Sequence, residues 1–461
     1  MKISQSLEQV ARESAVVTVQ SALDRARADA HNVFINLAAE RALERARAVD
    51  AGEITGRLAG VPFVAKDNFL TYGAPTTAAS KFLENFEAPL QATAIERLEA
   101  EGAICIGKVN LDAFAHGGST ENSAYGVTKN AADDTRVAGG SSGGSAVAVA
   151  LELVPFALGT DTGGSIRQPA SFNGVVGIKP TYGAVSRYGV VAMASGTDTI
   201  GVLAANVADT ELLMDILTGR DARDMTTLPA YFAPQDQPTG RKIGVIKEFM
   251  AQGVDPGVRE RVEAAIERYK ELGYEVEEVS MPMLRYALAI YYIVVPAEIS
   301  SNLARYDGVR YGSQHGSDQK LRDVYELSRQ AGFMPENKRR IIIGSYVLSS
   351  GFFDAYYQKA QKARTLLIRE FNELLAVYDA LIGPVAPSPA FKIGENTDDP
   401  LKMYLEDVMT VPASLAGLPA VSVPIGDTED GLPVGLQVIG RRQADASVLA
   451  IARDIEESIH G

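Results

Sequence analysis

Two glycine-serine loops and one lysine are the residues of this chain best suited to do chemistry. The loops are Gly139-Gly140-Ser141-Ser142-Gly143-Gly144-Ser145 and Asp161-Thr162-Gly163-Gly164-Ser165. The lysine is Lys66, which follows the apolar run GVPFVA and precedes Asp67-Asn68. A serine hydroxyl becomes a nucleophile when a neighbouring base takes its proton. Glycine-rich backbone ahead of a helix leaves N–H groups open to an anion or an oxyanion. Lysine is rarely buried, so a lysine closing an apolar strand stands out. Taken alone, it reads as a strand-end lysine paired with Asp67.

Three kinds of chemistry compete for these loops. Residues 102–109, GAICIGKV, have the spacing of a phosphate-binding loop. Val109 stands where that loop needs a hydroxyl for magnesium, which argues against it. The GGSSGGS composition suits a flexible linker. The apolar run at 146–153 follows it directly, however, and anchors it to something buried. Nucleophilic catalysis of the Ser-His-Asp kind needs a histidine, and the chain has four: His31, His116, His315 and His460. His31 lies near the N-terminus, His460 is penultimate and His315 sits in the polar stretch GSQHGSD. His116, beside Gly117-Gly118-Ser119-Thr120, stays open. No GxSxG elbow is present. A lysine base remains, with Lys66 as the candidate.

The elements that must position these residues read as follows. Residues 5–49 suggest two amphipathic helices, with Val16, Val19, Leu23 and Ala26 at helical spacing, forming an arm that packs on the core. Strands are expected at 60–65, 103–106 and 174–177, and helices at 94–101 and 145–153. Pro, Gln and Gly cluster at 229–240, the best linker candidate. A β-α-β pattern follows at 242–246, 258–272 and 274–279. Later strands are expected at 380–382, 420–423 and 435–439, and a helix closes the chain at 444–459. Strands alternating with helices indicate an α/β fold with helices on both sheet faces. The organisation expected is an arm, 1–54, and one domain, 55–461, made of a core at 55–225 and a second half at 241–461.

Composition narrows the function classes. The chain has 461 residues, 46% of them apolar, and a net charge of −14. That balance argues against gripping nucleic acid directly. The single cysteine, Cys105, excludes an intrachain disulfide and a Cys-rich zinc site. Within GAICIG it reads as a buried, inert thiol. The longest apolar run considered, 146–158, is interrupted by Glu152 and Pro155, so no bilayer crossing is expected. The N-terminus MKISQSLEQVARES lacks the layout of a signal peptide, and a cytoplasmic location is the expectation.

Lys66, GGSSGGS at 139–145 and DTGGSIRQPA at 161–170 together resemble the amidase signature family. Three elements at matching separations are far more specific than one loop. Within that family the chain is similar to the A-subunit branch of glutamyl-tRNA(Gln) amidotransferases. That likeness runs nearly end to end, through GKVNLD at 107–112, GIKPTYG at 177–183, RYDGVRYG at 305–312 and LAGLP at 415–419. His116 and Thr199 depart from the branch, which usually carries methionine and glutamine there.

The resemblance implies the amidase signature fold, a large mixed central sheet covered by helices. It implies Ser165 as nucleophile, Ser141 on a cis peptide bond as proton bridge and Lys66 as base. Thr162, Gly163 and Gly164 would offer main-chain N–H groups as an oxyanion hole. Lys66 must then be neutral, far below the usual lysine pKa of about 10.4. Tyr291, Arg340 and Asp407 would bind glutamine, with Arg340 on its carboxylate, where a guanidinium fork fits, and Asp407 on its amino group. Ammonia would pass to a B subunit that holds charged tRNA and uses ATP and magnesium, with a C subunit clamping the other two together. No metal or cofactor is expected in this chain. The alternative is a free-standing amidase of the same family acting on other amides.

Overall fold

The structure, a computed structural model, describes residues 1–229, 240–251 and 253–460. The linker expected at 229–240 therefore falls almost wholly outside the described residues. Eleven strands form one sheet: β1 (Phe34–Leu37), β2 (Pro62–Lys66), β3 (Ile104–Val109), β4 (Phe156–Asp161), β5 (Val176–Lys179), β6 (Thr199–Ala204), β7 (Lys242–Ile246), β8 (Glu275–Val279), β9 (Ala380–Pro384), β10 (Ala420–Asp427) and β11 (Pro433–Ile439). Their order is β1-β3-β2-β4-β6-β5-β10-β11-β9-β7-β8. The sheet is mixed: β2 is parallel to both β3 and β4, β7 is parallel to β8 and β9, and the middle pairs are antiparallel. The fold is α/β, and the two halves of the chain meet inside the sheet where β5 pairs with β10.

Strand sequences follow their place. β2 is PFVAK and β4 is FALGTD, and every residue of both is buried, as expected of central strands covered on both faces. β8, EVEEV, is largely exposed at the sheet edge, where charge discourages pairing with another chain.

Several elements differ from expectation. The N-terminal stretch holds three helices, Ile3–Arg12, Ala15–Arg27 and Ala39–Asp50, and also contributes edge strand β1, which pairs antiparallel with β3. β4 and β6 are not expected from the sequence at all, because glycines at 159 and 201 break their apolar runs. Among the described residues the apolar helical run Pro282–Arg305, not 146–158, is the one long enough to cross a membrane by length and composition. Ile290, Tyr291, Val294 and Val295 on it are buried in the protein core, and a helix apolar all round suits such burial. The segment GAICIGKV contains β3, with Lys108 buried, and is not a phosphate loop.

Candidate active site

Lys66 ends β2, and β4 runs parallel beside it with Ala65 opposite Leu158. That register sets the end of β2 next to Thr160 and Asp161, at the carboxyl ends of two adjacent parallel strands. Open α/β sheets commonly bind ligands there. Lys66 does not pair with Asp67. Asp67 is held by Lys108 at 2.7 Å, both side chains being fully buried.

Lys66 Nζ lies 2.7 Å from Ser141 Oγ, 2.9 Å from Ser142 Oγ and 2.9 Å from Thr160 Oγ1. Ser142 Oγ donates to the Thr160 carbonyl at 3.1 Å, so towards Lys66 it accepts. The Thr160 carbonyl lies 3.3 Å from Nζ, and Asn68 Nδ2 donates to Thr160 Oγ1 at 3.1 Å. A neutral amine has two N–H bonds and one lone pair. Ser142 and Thr160 take the two N–H bonds, which leaves the lone pair for the Ser141 hydroxyl.

Burial drives the Lys66 pKa down to about 7 against the opposing pull of Asp112, Asp161 and Asp198. A shift of that size is roughly 5 kcal/mol of differential interaction. Asp112 is itself raised to about 6 by burial, although the Thr120 and Asn122 amides donate to it. Lys179 is equally buried and also lowered to about 7, chiefly by burial and then by Arg167. Its Nζ donates to the Pro180 carbonyl at 2.9 Å. A depressed lysine alone is therefore not the mark of the site; the cluster of hydroxyls around Lys66 is.

The first glycine-serine loop carries a cis peptide at Gly140–Ser141. A side chain at Gly140 would collide with the Asp112 carboxylate and the Ser119 backbone, so only glycine lets the loop lie there. The buried helix Gly143–Ala150 takes over immediately. The second loop is tied to the first by the Ser142 amide, which donates to the Ser165 carbonyl at 3.1 Å. Asp161 organises this second loop. It accepts from the amides of Gly164 at 2.9 Å and Ile166 at 3.2 Å, and pairs with the fully buried Arg167 at 2.9 Å. Burial would raise the Asp161 pKa, but the Arg167 guanidinium prevails and holds it below the usual carboxylate value. Arg167 also donates to the Thr410 carbonyl, Ser414 Oγ and Gln437 Oε1 at 2.6–2.9 Å, locking the loop to the second half of the chain. Gly164 has φ +146°, and a side chain there would strike Thr410. Of the three amides expected to form the oxyanion hole, those of Thr162, Gly163 and Gly164, the last is thus already engaged by Asp161.

Tyr291, on the helix Ala287–Asn302, is buried beside Gly163, so that a side chain at that glycine would meet the tyrosine hydroxyl. Burial raises the Tyr291 pKa. Arg340, on the helix Pro335–Val347, is buried and donates through Nε to Glu336 at 2.8 Å. It packs over the rings of Tyr292 and Tyr404, and its terminal nitrogens make no hydrogen bond among the described residues. Asp407 is half-buried, its carboxylate approaches Gly118, and burial pushes its pKa up to about 8 against the pull of Arg340. Arg340 and His116 line a cavity of about 320 Å³ shared with Gly117, Gly118, Glu336 and Tyr404. His116 is buried and held neutral, chiefly by burial and then by Arg340. Cys105 is buried with its thiol raised to about 11, which suits the inert role expected.

Sequence reasoning missed Ser142, Thr160, Asp161, Arg167 and Asp112. A usable signal existed for one pair: Asp161 and Arg167 are opposite charges flanking a glycine turn, DTGGSIR. Among the described residues, no cluster of His, Cys, Asp and Glu could hold a metal ion.

Comparisons with known proteins show the family of the chain. The Amidase family model matches residues 17–449. The chain is 52% identical over 451 residues to the A subunit of the glutamyl-tRNA(Gln) amidotransferase of Symbiobacterium thermophilum, covering 95% of this chain and 92% of that one. The equivalent protein of Koribacter versatilis is 50% identical, with 93% and 91% covered. The crystal structure of the Thermotoga maritima A subunit superposes with a TM-score of 0.83 at 42% identity, over 99% of this chain and 94% of that one. A bacterial aryl acylamidase of the amidase signature enzymes superposes at 0.86 with 26% identity, over 99% and 96%. With a family model over most of its length and relatives at about half identity, the chain belongs to the amidase signature family.

Proposed function

We propose that this chain hydrolyses the side-chain amide of glutamine to glutamate and ammonia, and that it does so as the A subunit of a tRNA-dependent amidotransferase. The observation that carries the reading is a fully buried lysine, poised near neutrality, 2.7 Å from the hydroxyl of the serine that follows the cis peptide.

Ser165 Oγ attacks the amide carbon as its proton moves to Ser141 and the Ser141 proton moves to Lys66. The oxyanion is held by the amides of Thr162 and Gly163, with Gly164 contributing a bond shared with Asp161. The C–N bond then breaks as the proton returns from Lys66 through Ser141 to the leaving nitrogen. An acyl ester on Ser165 remains, and water cleaves it by the same relay run again. Each preorganised oxyanion donor in comparable sites is worth about 3–4 kcal/mol.

Arg340 binds the substrate carboxylate, Asp407 its ammonium and Tyr291 the wall between them and Gly163. Ammonia passes to a B subunit, which uses ATP and magnesium to convert Glu-tRNA(Gln) to Gln-tRNA(Gln), and a C subunit holds the pair together. The net charge of −14 fits a protein that leaves tRNA to its partner. The complex works in the cytoplasm. Co-purification with candidate B and C subunits, followed by glutaminase assays with and without charged tRNA and ATP, tests the reading. Glutamine left intact by the assembled complex would refute it.

A further inference from the structure

One buried polar group in the cavity beside Arg340 is unused by the reaction above. His116 is 0% exposed, and its Nε2 has no hydrogen-bond partner among the described residues. Its other ring nitrogen is accounted for. Asn337, on the same helix as Arg340, accepts from the Met334 amide through Oδ1 at 3.1 Å and donates from Nδ2 to the Ala113 carbonyl at 2.8 Å. Those two bonds fix which end of the amide is which. The same Nδ2 faces His116 Nδ1 in a short contact. An N–H facing Nδ1 requires a lone pair there, so the proton of the neutral ring sits on Nε2. His116 is one of the residues lining the cavity that holds the arginine, and its ring therefore carries a buried, unpaired N–H donor beside that cavity.

The charges lining this cavity explain why a second donor matters. Glu336 is matched by Arg340, Arg339 and the Tyr404 hydroxyl, and Asp112 by two amides. Glu121 accepts from the Gly394 amide through one oxygen, while its other oxygen is buried without a partner among the described residues. An anion entering here meets acid on several sides, and Arg340 has already given its Nε to Glu336. A carboxylate offers about four lone-pair sites, and the fork of a guanidinium aims only two parallel N–H bonds at it.

We propose that the His116 Nε2–H is a second donor to the substrate α-carboxylate, beside Arg340, and sets the preference for substrates that carry one. This rests on the reading of Arg340 as the carboxylate site. The test uses the complex with its partner subunits. It measures kcat/KM for glutamine divided by kcat/KM for 4-aminobutanamide, the same chain without the carboxylate. His116→Asn keeps an acceptor towards Asn337 and removes the Nε2 donor. His116→Gln restores an N–H near the Nε2 position, and His116→Met fills the volume with no donor. The ratio is expected to fall about tenfold in His116→Asn and His116→Met and to recover in part in His116→Gln, the scale of one hydrogen bond to a charged group. A ratio unchanged in both His116→Asn and His116→Met, while Arg340→Ala collapses it, overturns the role of His116 alone. A ratio unchanged in Arg340→Ala as well overturns the carboxylate site itself and this inference with it.

Discussion

The lysine cluster and the arginine pocket are built on opposite principles. Around Lys66 the amine is met from within the protein: three hydroxyls and a carbonyl close on it, and the Asn68 amide donates to one of those hydroxyls. Around Arg340, groups are left unmatched. Among the described residues, the guanidinium ends have no hydrogen-bond partner, the Asp407 carboxylate accepts no hydrogen bond, and His116 Nε2 is unpaired. A relay must be satisfied before substrate arrives, because proton transfer needs fixed donors and acceptors. A recognition pocket must be unsatisfied, because the ligand supplies the missing partners and loses affinity when it cannot.

The contrast is broken most severely at the relay. Lys66→Ala and Ser165→Ala should each lower hydrolysis of every amide by at least about 10³-fold while the protein stays soluble, as loss of a nucleophile or its base does elsewhere. Full activity of purified Lys66→Ala would end the lysine-base account. In the pocket the damage should be selective. Arg340→Ala should lower glutamine kcat/KM by about 100-fold, within the range of roughly 2–5 kcal/mol for truncating a buried charge partner, and affect use of free ammonia far less. Equal losses with both nitrogen donors would remove Arg340 from glutamine binding.

A smaller effect sharpens the comparison through pH. Lys66 is lowered to about 7, so its amine is neutral only above that pH and gains a proton below it. Asp407 is raised to about 8, so its carboxylate is charged above that pH and neutral below. Both active forms lie on the alkaline side, and glutamine kcat/KM should fall as pH drops through both values. Asp407→Asn should remove the upper leg and leave the one set by Lys66. A profile with the same two legs in that variant would contradict the assignment. The smallest effect belongs to Thr160→Val, which removes the hydroxyl shared by Lys66 and Asn68. It should slow kcat about tenfold, on the scale of one hydrogen bond to the amine, with KM unchanged. A raised KM instead would place Thr160 in binding rather than in the relay.

The sequence is most legible where backbone demands are local. The GGSSGGS and DTGGS loops announce themselves because glycine is required where Asp112, Ser119 and Thr410 crowd the chain. β2 and the pattern at 242–279 are legible from apolar runs and their spacing. β4, which carries Thr160 and Asp161, is not, since its glycine masks its period. β1 is hidden because all four of its residues are half-buried.

Residue type and spacing alone put forward two glycine-serine loops and Lys66, with His116 still open, and excluded a Cys-rich zinc site; the roles of Lys66, Ser141 and Ser165 and the acid and base of the second half, Asp407 and Arg340, came from the resemblance to the amidase signature family. Only the tertiary structure decided that Lys66 meets Ser142 and Thr160 rather than Asp67, that Gly164 already serves Asp161, and that His116 faces Asn337. Apart from the Gly164 contact, these partners stand 76 to 221 positions apart and are set by strand register and helix packing. A chain's local preferences cannot encode them, because whether a buried amine is charged or neutral depends on which distant groups surround it.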